Sequence, residues 1–168
     1  TPSGIIYNVS EFIEKSIRAY QWYAPACFNM YRRDFLLQNE LFFKVGIYFE
    51  DMQMLPRVFL AAQKIACIDG VFYHYVVRDN SIMTSKKDIK KQSDSIQNLR
   101  EWKEQFDHVQ DAKLRKILYG MLVKCYLHEC RVYGITKWEI DGVDFKFVVN
   151  NSLNFKEKIK GLLFALLP

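Results

Sequence analysis

The segment DAKLRKILYGMLVKCYLHECRVYG, Asp111 to Gly134, limits the possible folds more than any other part of the chain. Leu114, Ile117, Leu118, Met121, Leu122, Cys125 and Tyr126 recur at three- and four-residue spacing. That spacing puts them on one side of an α-helix about six turns long. Gly134 is a natural stop, because glycine accepts the left-handed conformation that follows many helix ends. The preceding KKDIKKQSDSIQNLREWKEQF is also amphipathic. A helix with one apolar side is held mainly by packing, so the two must bury their stripes against other elements. Residues 85–168 therefore read as a helical C-terminal subdomain.

The first 84 residues have a different character. Ser10 is a plausible N-cap for a helix from Glu11 to about Tyr23 with Phe12, Ile13, Ile17 and Tyr20 as its apolar stripe. A short helix is expected from about Arg32, then a loop or short strand through VGIYFED. DMQMLPRVFLAAQKI predicts a helix with Met54, Leu55, Val58, Phe59, Ala62 and Ile65 inward. Pro56 falls in its first two turns, where it removes at most one helical hydrogen bond. ACIDGVFYHYVVRDN predicts two short strand segments joined at Asp69-Gly70, the second running from Val71 to Val77. The expected class is a helix-rich α+β fold.

Composition narrows the rest. With 168 residues, half of them hydrophobic and 15% aromatic, the chain can bury one substantial core and is not disordered. A formal charge of +5 suits an anionic partner without selecting one. Cys27, Cys67, Cys125 and Cys130 form no CxxC pair and no zinc spacing, and read as buried free thiols of a reducing compartment. No signal peptide is visible and no apolar run is long enough to span a bilayer, so a cytoplasmic location is expected. The opening TPSGIIYNVS lacks an initiator Met and reads as an internal stretch of a longer protein.

Two stretches could carry chemistry. In GIYFEDMQM the acids Glu50 and Asp51 stand where an aromatic run gives way to a helix. They can complement the positive helix start, an effect under about 1 kcal/mol. Alternatively, one anchors the loop while the other faces a cleft as a general base. In VFYHYVVRDNSI a strand would put Tyr73 and Tyr75 on one face and His74 on the other, with Arg78 and Ser81 in the exit loop. Arg78 suits phosphate oxygens and Ser81 adds a hydroxyl donor. His74 could touch a metal or a diphosphate, or be an ordinary packed residue.

FNMYRRDFL, LFFKVGIYFEDMQMLPRVFLAAQKIACID and VFYHYVVRDNSIM, three ordered blocks over residues 24–84, together resemble the C-terminal half of bacterial family 2 glycosyltransferases of the GT-A fold. Those enzymes build capsular and other surface polysaccharides. The resemblance implies that residues 1–84 are the acceptor-binding half of a catalytic domain. Asp51 would be the base of an inverting transfer from a nucleotide sugar, and Glu50 would orient the loop or bind acceptor hydroxyls. His74, Tyr75, Arg78 and Ser81 would form the substrate-binding set. It also implies a divalent metal, Mn or Mg, for the diphosphate, with ligands mostly outside this sequence. The family's nucleotide-binding β-α-β units and Asp-x-Asp motif do not occur before Asp51, so this stretch alone is expected to be inactive.

Two basic stretches remain. SKKDIKKQ, with Lys86, Lys87, Lys90 and Lys91, reads as a solvated helix face. Nucleic-acid binding would need interleaved aromatics or a recognised module, and neither is present. The closing NFKEKIKGLLFALLP, residues 154–168, pairs lysines with a strongly apolar run. It is either a helix packed onto the domain or an interfacial helix holding the protein at the inner face of a membrane, near lipid-linked glycan acceptors. A non-catalytic helical module docking on a membrane or protein partner is the alternative to the enzyme.

Overall fold

The computed structural model describes residues 4–19, 25–79, 81–82 and 88–166. Its centre is the helical hairpin expected from the C-terminal half. Helix α4 (Ile89–Asp107) packs along α5 (Ala112–Tyr133), linked by bonds from Ser95 Oγ to Glu129 Oε2 at 2.7 Å and from Tyr119 OH to Asp107 Oδ1. Around the hairpin sit α1 (Val9–Arg18), α3 (Glu50–Ala61), α6 (Phe145–Asn151) and α7 (Phe155–Leu166), while α2 (Arg33–Gln38) lies over a small satellite core.

Helix starts are set by short polar side chains that accept the first free amides. Asp88 accepts from the Lys91 amide, Asp111 from those of Lys113 and Leu114, and Asp144 from that of Phe147. In α1 the cap is Asn8, whose Oδ1 accepts from Glu11 N at 2.8 Å, and not Ser10, which lies inside the helix. Helix α5 ends as expected at Gly134, with φ of 69°. No atom outside its immediate neighbourhood lies within 4 Å of a Cβ built there, so Gly134→Ala tests conformational strain alone. It should cost about 1–2 kcal/mol in urea unfolding with an unchanged m-value.

One main core joins the two halves of the sequence. Ile13 and Ile17 of α1 and Leu55 and Phe59 of α3 share it with Leu99, Trp102, Phe106, Leu122, Val123 and Tyr126. Helix α5 is buried on more than one side, with Val123, Leu127 and Cys130 joining the expected stripe. Of the cysteines, Cys130 is buried and Cys125 half-buried, and burial pushes both thiols up to about 12. Contrary to expectation, Cys27 is exposed and Cys67 only half-buried.

The strands differ most from the sequence reading. The described sheet has two antiparallel strands, β1 (Ile6–Asn8) and β2 (Lys64–Ala66), in register Ile6↔Ala66, Tyr7↔Ile65 and Asn8↔Lys64. Strand β1 was not anticipated. Ala62 and Ile65, expected on the inner face of α3, instead form its C-terminal boundary and the middle of β2. Residues 71–77 are not a strand: a run of β-branched and aromatic residues needs a neighbouring backbone to complete its ladder, and none is paired with it among the described residues. Val71 and Phe72 are 91% and 76% exposed. The parts of the first-helix expectation at Tyr20 and Tyr23, and Lys86 and Lys87, lie outside the described residues.

Candidate functional site

The loop 40–49 delivers the acid pair to the first turn of α3. Three of its residues have left-handed backbones: Glu40 (φ 51°), Gly46 (φ 82°) and Phe49 (φ 60°). For a bulky side chain such as Phe49 this costs about 1–2 kcal/mol, so neighbouring contacts must hold the conformation. Phe49 stands immediately before Glu50 and Asp51.

Those contacts come mainly from α4. Asn98, almost fully buried, donates Nδ2–H to the carbonyls of Phe49 at 3.0 Å and Tyr48 at 3.4 Å. Asp94 Oδ2 accepts from Tyr48 N at 2.9 Å and from Lys90, whose ammonium also reaches the Gly46 carbonyl at 2.8 Å. Glu101 accepts from Lys44 and from Gln53 Nε2. Arg57 of α3 donates to the carbonyls of Glu40 and Phe42 at 2.9 and 3.0 Å. Burial acts most strongly on Asp94 and pushes its pKa up, but Lys90 and the Tyr48 amide outweigh it and hold the carboxyl below its ordinary value. Glu101 follows the same balance, with Lys44 and Gln53 as its partners.

Asn98→Ala would leave the Tyr48 carbonyl without this donor, beside a strained residue. The expected cost is about 1–3 kcal/mol by urea unfolding, with faster amide exchange in residues 46–53 than elsewhere.

The two acids have different environments. Glu50 is exposed, and its side chain makes no hydrogen bond among the described residues. The loop is held by Asp94, Asn98, Glu101 and Arg57. Asp51 is half-buried, and its Oδ1 accepts from the Met52 amide at 2.7 Å. Burial raises the Asp51 pKa, the Met52 amide partly opposes the rise, and the Glu50 charge adds to it. Tyr31, which precedes α2, is close enough for burial and the Asp51 charge together to raise its own pKa.

The other candidate residues lie on the irregular segment 67–79 and, for Ser81, just beyond it. His74, Tyr75 and Arg78 are exposed and Ser81 is half-buried. Tyr73 and Tyr75 both lie against Phe28, with ring centroids at 6.0 and 6.1 Å, although the segment is not a strand. The end of the segment is tied to the acid loop. Lys91 Nζ donates to the Ile82 carbonyl at 3.1 Å and lies over the Tyr48 ring at 5.5 Å. Lys91 is thus buried, not part of a solvated face; its four-carbon stem covers apolar surface while the ammonium finds a carbonyl. His74 and Arg78 are not among the groups that shift Asp51.

A shallow depression of about 520 Å³ is lined by Arg32, Arg33, Asp34, Phe35 and Gln38. Another, of about 350 Å³, lies between α1 and the start of α5, away from the acids. Among the described residues, no cluster of three or more His, Cys, Asp or Glu side chains could hold a metal. Comparison with protein families, curated proteins and solved structures finds no match to this chain.

Sequence reasoning missed Asp94, Asn98 and Glu101. The signal was present: Lys91, Ser95, Asn98 and Trp102 repeat at helical spacing, so polar residues occupy the buried face of α4. A buried polar residue requires a partner, and here the partners lie in the acid loop, the 82 carbonyl and α5.

Proposed function

We propose that this chain is the acceptor-side part of an inverting glycosyltransferase of family 2 and the GT-A type, acting in surface-polysaccharide synthesis with Asp51 as general base. The observation that supports it is the half-buried Asp51 carboxylate at the start of α3, held through Oδ1 by the Met52 amide. Partial burial makes it a better proton acceptor than a solvated aspartate. The strained Phe49 and its holding by α4 are consistent with a loop kept in one geometry for function.

In this reading Oδ2 takes the proton of an acceptor sugar hydroxyl while that oxygen attacks the anomeric carbon of a nucleotide sugar. The bond from that carbon to the diphosphate breaks, and the nucleoside diphosphate leaves with the electron pair. Arg78 and Ser81 would face the diphosphate, and His74 and Tyr75 the substrates. The Mn or Mg ion implied by the resemblance finds no ligand set in Glu50 and Asp51 alone, so no step is assigned to it.

The test is transfer from a panel of nucleotide sugars to mixed glycan acceptors by the protein as its gene encodes it. Turnover with at least one donor supports the proposal; neither binding nor turnover of any nucleotide sugar would sink it. A second reading, a non-catalytic docking module, is favoured by the outward face of α7 and would then take precedence. Asp-x-Asp and β-α-β units encoded upstream would favour the enzyme.

A further inference from the structure

Helix α7 has two apolar faces, and only one is used within the fold. Its start is fixed by Asn154, whose Oδ1 accepts from the Glu157 amide at 3.0 Å, and by Glu157, whose Oε2 accepts from the Leu153 amide at 2.9 Å. This reciprocal arrangement resembles a capping box and sets the helix's rotation. Glu157 and Gly161 then point inward. A Cβ built on Gly161 would lie 2.4 Å from Val148 Cγ1, so α7 sits close against α6 there. Phe164, one turn on, packs edge-on to Trp138 with centroids 4.5 Å apart and reaches Tyr126.

The opposite face carries Phe155, Ile159, Leu162, Leu163 and Leu166 at helical spacing, all exposed, with Phe155 at 75% and Leu166 at 67%. Three exposed lysines border this stripe, Lys158 on one side and Lys156 and Lys160 on the other. None of them makes an ion pair among the described residues. No helix among the described residues is long and apolar enough to cross a membrane, and α7, about 18 Å long, can only lie along one.

We infer that α7 is an interfacial anchor that lays its outer face on an anionic membrane surface. The apolar stripe enters the acyl boundary and the flanking lysines meet the headgroups. Charge complementarity selects this occupant: an apolar protein partner would satisfy the leucines and leave three unpaired ammonium groups at the rim. The inference rests on α7 alone and stands whether or not the chain belongs to a glycosyltransferase.

The test is flotation of the full 168-residue chain with vesicles of equimolar phosphatidylglycerol and phosphatidylcholine, and with phosphatidylcholine alone. Binding is expected to the anionic vesicles and to weaken with salt. Leu163→Glu with Leu166→Glu should reduce it at least about tenfold. Each Lys→Gln change at Lys156 or Lys160 should reduce it roughly fivefold. These positions are exposed, so circular dichroism and the unfolding midpoint should stay at wild-type values. Absence of binding to either vesicle would overturn the inference. So would binding that survives the leucine changes, or oligomers in sedimentation that those changes dissolve without any vesicle contact.

Discussion

Replacing Trp102 with alanine is expected to cost about 3–5 kcal/mol, a large share of the roughly 5–15 kcal/mol that holds a domain of this size together. The side chain is fully buried in the main core and its indole N–H donates to the Met52 carbonyl at 2.9 Å. That carbonyl is special. In an unbroken helix it would accept from the amide four residues later, but residue 56 is proline and has no N–H. Trp102 supplies the missing donor from α4. Trp102→Phe separates the two contributions, keeping most of the apolar volume while leaving the carbonyl unpaired, at about 1–3 kcal/mol. In a Pro56→Ala background the helix regains its own donor, and the Trp102→Phe penalty should shrink. Urea unfolding of the four proteins in this cycle measures the coupling. Strictly additive changes would show that Trp102 acts by packing alone.

The same pair shows how far the sequence could be read. Pro56 announced a lost hydrogen bond, but not which residue 46 positions away would compensate for it. Helices α4 and α5 were legible because their signal is local: periodic apolar residues, and for α5 Gly134 at its end, whereas the short α6 (Phe145–Asn151) was not read. The strands were not legible. A three-residue strand such as Ile6–Asn8 exists because Lys64–Ala66 lies beside it, and Val71–Val77 is not one because no strand among the described residues is paired with it. Strand character belongs to the pair, whereas propensity belongs to the segment. The candidate site was half legible for a similar reason. Glu50 and Asp51 are conspicuous together, but their different environments are set by loop 40–49 and its attachment to α4, contacts that run across more than forty positions of chain.

Asp51→Asn provides the largest functional effect and can be separated from stability. If Asp51 takes the acceptor proton, the amide cannot, and transfer by the full protein should fall by roughly 10²-fold or more with donor binding intact. Stability should move differently. The folded-state pKa of Asp51 is raised, first by burial, so folding favours its protonated form. Such a group contributes most below its unfolded pKa and loses that contribution as pH rises through the folded value. Asparagine is neutral at every pH and its Oδ1 can still accept from the Met52 amide. The variant should therefore equal or exceed wild type in stability at neutral pH, with any advantage disappearing in acid. Asp94 and Glu101, with lowered pKa values, act in the opposite direction: their contribution is present at neutral pH and is lost as pH falls. A carboxylate that only caps a helix predicts the reverse pattern for Asp51→Asn, with stability lost at neutral pH and turnover unchanged. Unfolding curves at neutral and acid pH, set beside the transfer rate, decide between the two roles, because only a residue retained for proton transfer should lower activity on substitution while leaving the fold as stable or more so.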